Sequence, residues 1–171
     1  MWQNFFDAVL AFVLVLFGLS SVGELEQAAE VPAAQATSSW HVVERVIDGD
    51  TIDIDTGERV RFLGVDTPER DECYFAESTD FVRSWLEGKE VRLEQDVRDR
   101  DVHGRLLRYI FIAELPGGGA TSSEQLVNQV LLERGYARSL PIGPDDRYRT
   151  NFYSAQQTAQ AAAEGKWGVC Q

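Results

Sequence analysis

The chain has 171 residues, 44% of them hydrophobic, and a net charge of −12 from 16 Lys and Arg against 28 Asp and Glu. That is enough apolar material for one domain with a sizeable core, and too much for a disordered chain. The charge excludes a general basic coat for nucleic acid, so an acidic partner needs a local basic site or a bridging cation.

Ala8 to Leu19 is almost wholly apolar, with Phe5 and Phe6 just before it and a weak continuation to Val22. At about 1.5 Å per residue this run falls short of a ~30 Å bilayer core unless its ends are counted generously. Residues 1–23 therefore read as a signal peptide or a membrane anchor, the anchor being a tether through residues 5–22. A basic n-region is missing, and small residues permit cleavage after Gly23 or after Ala36. No Lys or Arg occurs in residues 1–40, so flanking charge sets no orientation. A buried helix of the domain is the alternative. It is disfavoured because residues 24–40, rich in Ala, Gln, Glu and Ser, read as a flexible linker.

The domain itself spans residues 41–171. His41 to Ile47 is Val-rich and reads as a strand. Thr51 to Asp55 alternates strictly, Thr56-Gly57-Glu58 turns the chain, and Arg59 to Val65 returns as a paired strand. A polar loop follows, Asp66 to Glu72, broken by Pro68. Tyr74, Ser78, Val82, Trp85 and Leu86 share a helical face that Gly88 stops. Val91 to Val97 and Leu106 to Ile112 read as strands, with a turn at Pro116 to Gly119. Ser122 and Gln125 form a capping-box pattern, predicting a helix from there to Gly135. A last helix is expected from Asn151 to Ala163. Five short strands and three helices suggest an α+β fold: a five-stranded OB-fold β-barrel, which hides its strand edges, preceded by an N-terminal hydrophobic helix.

Cys73 and Cys170 are the only cysteines, and with His41 and His103 their spacing matches no zinc pattern. An export-type N-terminus with an even cysteine count predicts a disulfide. Closing a loop of about 100 residues would stabilise the fold by roughly 4–5 kcal/mol in the chain-entropy model.

Two acidic segments carry candidate chemistry. Asp48-Gly49-Asp50-Thr51 opens one strand, and Asp66-Thr67-Pro68-Glu69 follows its partner. The Gly57 hairpin would bring Asp50 and Asp66 close together, where two carboxylates need a cation or a shared proton. All-oxygen ligands suit Ca²⁺ or Mg²⁺, and an EF-hand is excluded because its twelfth position would be Arg59. Arg61 lies between them, in the same row as Leu63 and Val65, and a charge in that row needs a partner. Arg105 stands at the start of another strand. Carboxylates, a cation and two guanidinium forks are the inventory for phosphodiester hydrolysis.

The stretch Val46 to Glu69 resembles the core signature of the staphylococcal nuclease (thermonuclease) family, and Asp101 to Phe111 resembles its second signature. Glu124 to Arg138 and Gly165-Lys166-Trp167 match in order and spacing, so the resemblance covers about residues 41–170. It implies that Asp50, Asp66 and the Thr67 carbonyl bind Ca²⁺, with Asp48 as a supporting acid. It implies Glu69 as general base, and Arg61 and Arg105 as the arginines that hold the phosphate. The implied reaction is cleavage of DNA or RNA on the 5′ side of the phosphodiester, leaving 3′-phosphate ends. The N-terminal segment separately predicts a secreted or membrane-anchored protein, and a monomer is expected.

Departures accompany the resemblance. His103 and Val102 stand where the second signature has Tyr and Lys. Leu140-Pro141-Ile142-Gly143-Pro144 replaces a segment with two nucleotide-flanking tyrosines, and the loop after Glu69 is shorter. Two other readings are a non-catalytic domain of the same fold that binds nucleic acid or protein, and an oligosaccharide-binding OB-fold. The complete set of Asp50, Arg61, Asp66, Glu69 and Arg105 speaks against the first. The lack of an aromatic platform speaks against the second. The acidic surface predicts weak, local, metal-dependent capture of substrate.

Overall fold

A computed structural model describes residues 38–170. The expected apolar helix and both cleavage positions lie outside the described residues. Among the described residues, no helix is long and apolar enough to cross a membrane.

Among the described residues, eight strands and four helical segments follow in chain order. They are β1 (Ser38–Asp48), β2 (Thr51–Ile54), β3 (Arg59–Phe62), β4 (Val65–Asp66), α1 (Phe75–Leu86), β5 (Glu90–Arg100), β6 (Leu106–Glu114), β7 (Ala120–Leu126), α2 (Val127–Glu133), β8 (Arg138–Ser139), α3 (Arg149–Ala161) and the single turn α4 (Lys166–Val169). Strand β1 lies between β2 and β5, β5 pairs with β6, and β3 pairs with both β2 and β6. The β3–β6 contact is parallel and closes the ring. The result is the expected five-stranded OB-fold barrel. Its interior takes the alternate residues of each strand, Val43, Ile52, Val60, Leu93 and Ile110 among them, all essentially without solvent contact.

Three differences from the sequence reading matter. First, β1 begins at Ser38, because residues 38–42 pair antiparallel with Glu90 to Glu94. Second, the strand expected over Arg59 to Val65 breaks at Gly64. This residue adopts φ 74°, and a Cβ there would run into the Phe152 ring. The chain leaves the barrel and resumes as β4, which pairs with β8 instead.

Third, residues Ala120–Leu126 form a strand, not the first turns of a helix. Register contacts Phe111↔Leu126 and Ile112↔Gln125 hold β7 on β6. Arg92 seals it across the sheet, bonding Glu124 through Nε and Nη2 while lying 4.0 Å above the Phe111 ring. The helix therefore starts at Val127, with no side-chain cap. Tertiary pairing outweighs a local capping pattern here, as weak propensities allow.

Asn128, wholly buried on α2, joins helix to barrel. Its Oδ1 accepts from Ile110 N–H and its Nδ2 donates to Leu63 C=O, each at 2.9 Å. Asn128→Leu fills the same space but orphans both backbone groups. A loss of about 2–4 kcal/mol in urea denaturation is expected; an unchanged midpoint would remove Asn128 from this role.

Candidate active site

The site is built at one end of the barrel, where β1 turns into β2 and where β3 gives way to β4. Asp48 and Thr51 face each other across the β1–β2 turn, and Asp50 N–H donates to Asp48 Oδ1 at 3.1 Å. The turn must lie flat on Thr67. A Cβ at Gly49 would come within 2.8 Å of the Thr67 side chain, so only glycine permits this approach. Thr67 then donates to Asp50 Oδ2 twice, from its N–H at 2.8 Å and its hydroxyl at 2.9 Å.

Arg61 projects from β3 between the two acidic segments. Its Nη1 lies 2.8 Å from Asp50 Oδ2 and its Nη2 lies 3.1 Å from Asp66 Oδ1. It also donates to Val65 C=O at 3.0 Å. The expected proximity of Asp50 and Asp66 is thus present, mediated by Arg61 and Thr67. Burial pushes the Asp50 carboxyl up to about 6, and nearby Asp48 adds to the rise against the opposing pull of Arg61 and the Thr67 bonds.

One neighbour of Asp66 was not among the expected site residues, although it closes the Glu124 to Arg138 segment that resembles the family. Arg138, on β8, grips Asp66 Oδ2 from its Nε at 2.8 Å and its Nη2 at 2.7 Å. The pair depends on the β4–β8 register Asp66↔Arg138, hence on the break at Gly64. Periodicity could not have found it across this separation.

Among the described residues, neither the Glu69 carboxylate nor the Arg105 guanidinium bonds to this cluster. Glu69 is exposed on the loop after Thr67, and among the described residues nothing bonds its carboxylate. Its N–H donates to Glu72 Oε2 at 2.9 Å, which sets a tight turn. Cys73 ends that turn and is bonded to Cys170, as expected from the cysteine count. Arg105 donates from Nε to Asp101 Oδ2 at 2.7 Å. Asp101 Oδ1 accepts from the backbone of His103 and Arg105, so the 101–105 turn holds its own arginine. In the parallel register Arg61 faces Leu107, so Arg105, two residues earlier, keeps the same strand parity as Arg61.

The donor chemistry suits a hard cation in part. Asp50 and Asp66 are oxygen donors, but among the described residues no three Asp, Glu, His or Cys side chains converge as a ready cage. A cation here would rely on a backbone carbonyl and water to complete its shell.

Comparison with known proteins gives the same direction. The family described as Staphylococcal nuclease homologue matches residues 59–168. A protein named Thermonuclease from Staphylococcus intermedius is 35% identical over 136 residues, covering 74% of this chain and 75% of its own. A Thermonuclease from Staphylococcus hyicus is 32% identical over 143 residues, covering 78% and 79%. An uncharacterized endonuclease from Escherichia coli is 35% identical over 118 residues, covering 63% and 70%.

Proposed function

Because the chain belongs to the staphylococcal nuclease family, we propose that it is a Ca²⁺-dependent nuclease that hydrolyses phosphodiester bonds of DNA or RNA. Cleavage falls on the 5′ side and leaves 3′-phosphate ends. The relatives named as thermonucleases and endonucleases support nuclease chemistry in general. The observation that carries the reading is Arg61 wedged between Asp50 and Asp66, an arginine and two carboxylates drawn from separate segments to one end of the barrel.

Asp50, Asp66 and the Thr67 carbonyl would hold the cation, which when bound supplies positive charge against the phosphate oxygens. Arg61 and Arg105 bind those oxygens and stabilise the charge that builds on them in the transition state. Glu69, exposed and unbonded, takes a proton from the attacking water. The disulfide supports an oxidising compartment, and hence a secreted or membrane-anchored protein.

The test is the full chain incubated with single-stranded DNA, and separately with RNA, in Ca²⁺ or in chelator. Cleavage that needs Ca²⁺ and leaves 3′-phosphate ends is expected. Binding without any cleavage would favour the non-catalytic reading instead.

A further inference from the structure

The outer face of α3 carries a recess that the proposed chemistry does not use. Ser139, Pro141, Arg149, Thr150, Tyr153 and Gln156 line a groove of about 530 Å³. Tyr153 is 58% exposed, a high value for so large a ring. Its neighbours Tyr148 and Phe152 pack against other aromatic rings, but among the described residues Tyr153 packs against none. Arg149 has no ion pair among the described residues, whereas Arg98, Arg100, Arg105 and Arg147 are each held by a carboxylate. An unpaired cation beside a bare aromatic face is a local exception on a chain of net charge −12.

The groove connects to the site through named bonds. Asp66 is gripped by Arg138, which is itself 60% exposed at its side chain. The next residue, Ser139, donates its N–H to Gln156 Oε1 at 2.6 Å, so α3 lies alongside β8. Tyr153 precedes Gln156 by three residues and therefore shares its helix face. A strand leaving Asp66 would pass Arg138, cross β8 and meet Tyr153 and Arg149. The adjoining cleft contains Asp145 and Asp146, but Asp145 points inward, with its side chain fully buried and bound to Arg98. Alternating cations and aromatic faces are how proteins hold single strands without reading their sequence.

We infer that this groove binds a nucleotide of the single-stranded substrate beyond the two that the cleaved bond joins, with its base stacked on Tyr153 and its phosphate held by Arg149. The inference rests on the nuclease reading and adds to it a strand path over Arg138 and α3.

The test compares the full-length wild-type chain with Tyr153→Ala, Tyr153→Phe and Arg149→Gln on oligothymidylate and on a dinucleotide too short to reach the groove. Tyr153→Ala is expected to raise KM for the oligonucleotide about 5- to 150-fold, the loss falling on KM and not on kcat. Tyr153→Phe should restore the KM, because the ring face is kept. Arg149→Gln should weaken the dependence of KM on salt. An oligonucleotide KM for Tyr153→Ala equal to wild type would overturn the inference while leaving the nuclease reading intact. If the wild type cleaves neither substrate, the nuclease reading fails, and fluorescence anisotropy of labelled oligothymidylate decides the groove alone. Weaker binding by Tyr153→Ala then supports it, and equal or absent binding overturns it.

Discussion

Arg105→Ala is expected to lower turnover by about 10³-fold or more while leaving the fold almost unchanged. One preorganised donor aimed at developing charge is worth roughly 10²–10³ in rate, and an arginine at a phosphoryl centre about 10³–10⁵. The cost to stability is small for a structural reason. Arg105 is partly exposed, and its partner Asp101 keeps two backbone N–H donors after the side chain is gone. An exposed pair of this kind contributes about 1 kcal/mol or less. Single-turnover cleavage and thermal unfolding measured on the same preparation separate the two effects. Turnover near that of the wild type would refute the role given to Arg105. Lysine should rescue only weakly, since it has the charge without the planar fork.

Arg61→Ala should behave differently, with a loss in both rate and stability. Arg61 is largely buried, and it is the cation that bridges Asp50 and Asp66. Removing it leaves the buried Asp50 carboxylate with only the Thr51 and Thr67 donors and the repulsion of Asp48. Breaking one partner of such a pair costs about 3–5 kcal/mol. A bound Ca²⁺ would replace the missing charge, so the deficit measured in chelator should shrink when Ca²⁺ is added. The wild type should gain less from Ca²⁺, because its guanidinium already neutralises the carboxylates. A variant as stable as wild type in chelator would show that Arg61 does not bridge them in solution. Equal Ca²⁺ stabilisation of both proteins would argue against a cation at Asp50 and Asp66.

The barrel and half of the site are legible in the residues. Strict alternation in Thr51 to Asp55, a turn at Gly57 and a return at Arg59 suffice to bring Asp50, Arg61 and Asp66 to one end. The odd charge two residues before Leu63 was itself a signal, because a guanidinium with little solvent demands carboxylates, although in β3 it is Val60 and Phe62 that face the interior and Arg61 that faces away from it. What could not be read depends on long-range pairing. Glu124 and Gln125 look helical in isolation and become a strand because Arg92 and β6 hold them there. Arg138 meets Asp66 only because Gly64 turns the chain away from the barrel, and that need for glycine comes from Phe152, far along the sequence. Glu69 and Arg105 were found by motif, and their contacts alone would not have singled them out.

Sequence separation also orders the assembly of the molecule. The five barrel strands have all left the ribosome once Glu114 has emerged. The arm that runs from Asp66 to Cys73 then still has neither of its anchors, because Arg138 and Cys170 are yet to be translated. Translation proceeds from the N-terminus, so the barrel can close around its apolar interior before this arm is secured. The end of the barrel that gathers Asp50, Arg61 and Asp66 is therefore the last to mature, and the covalent tie of its arm waits for a cysteine 97 residues further along the chain.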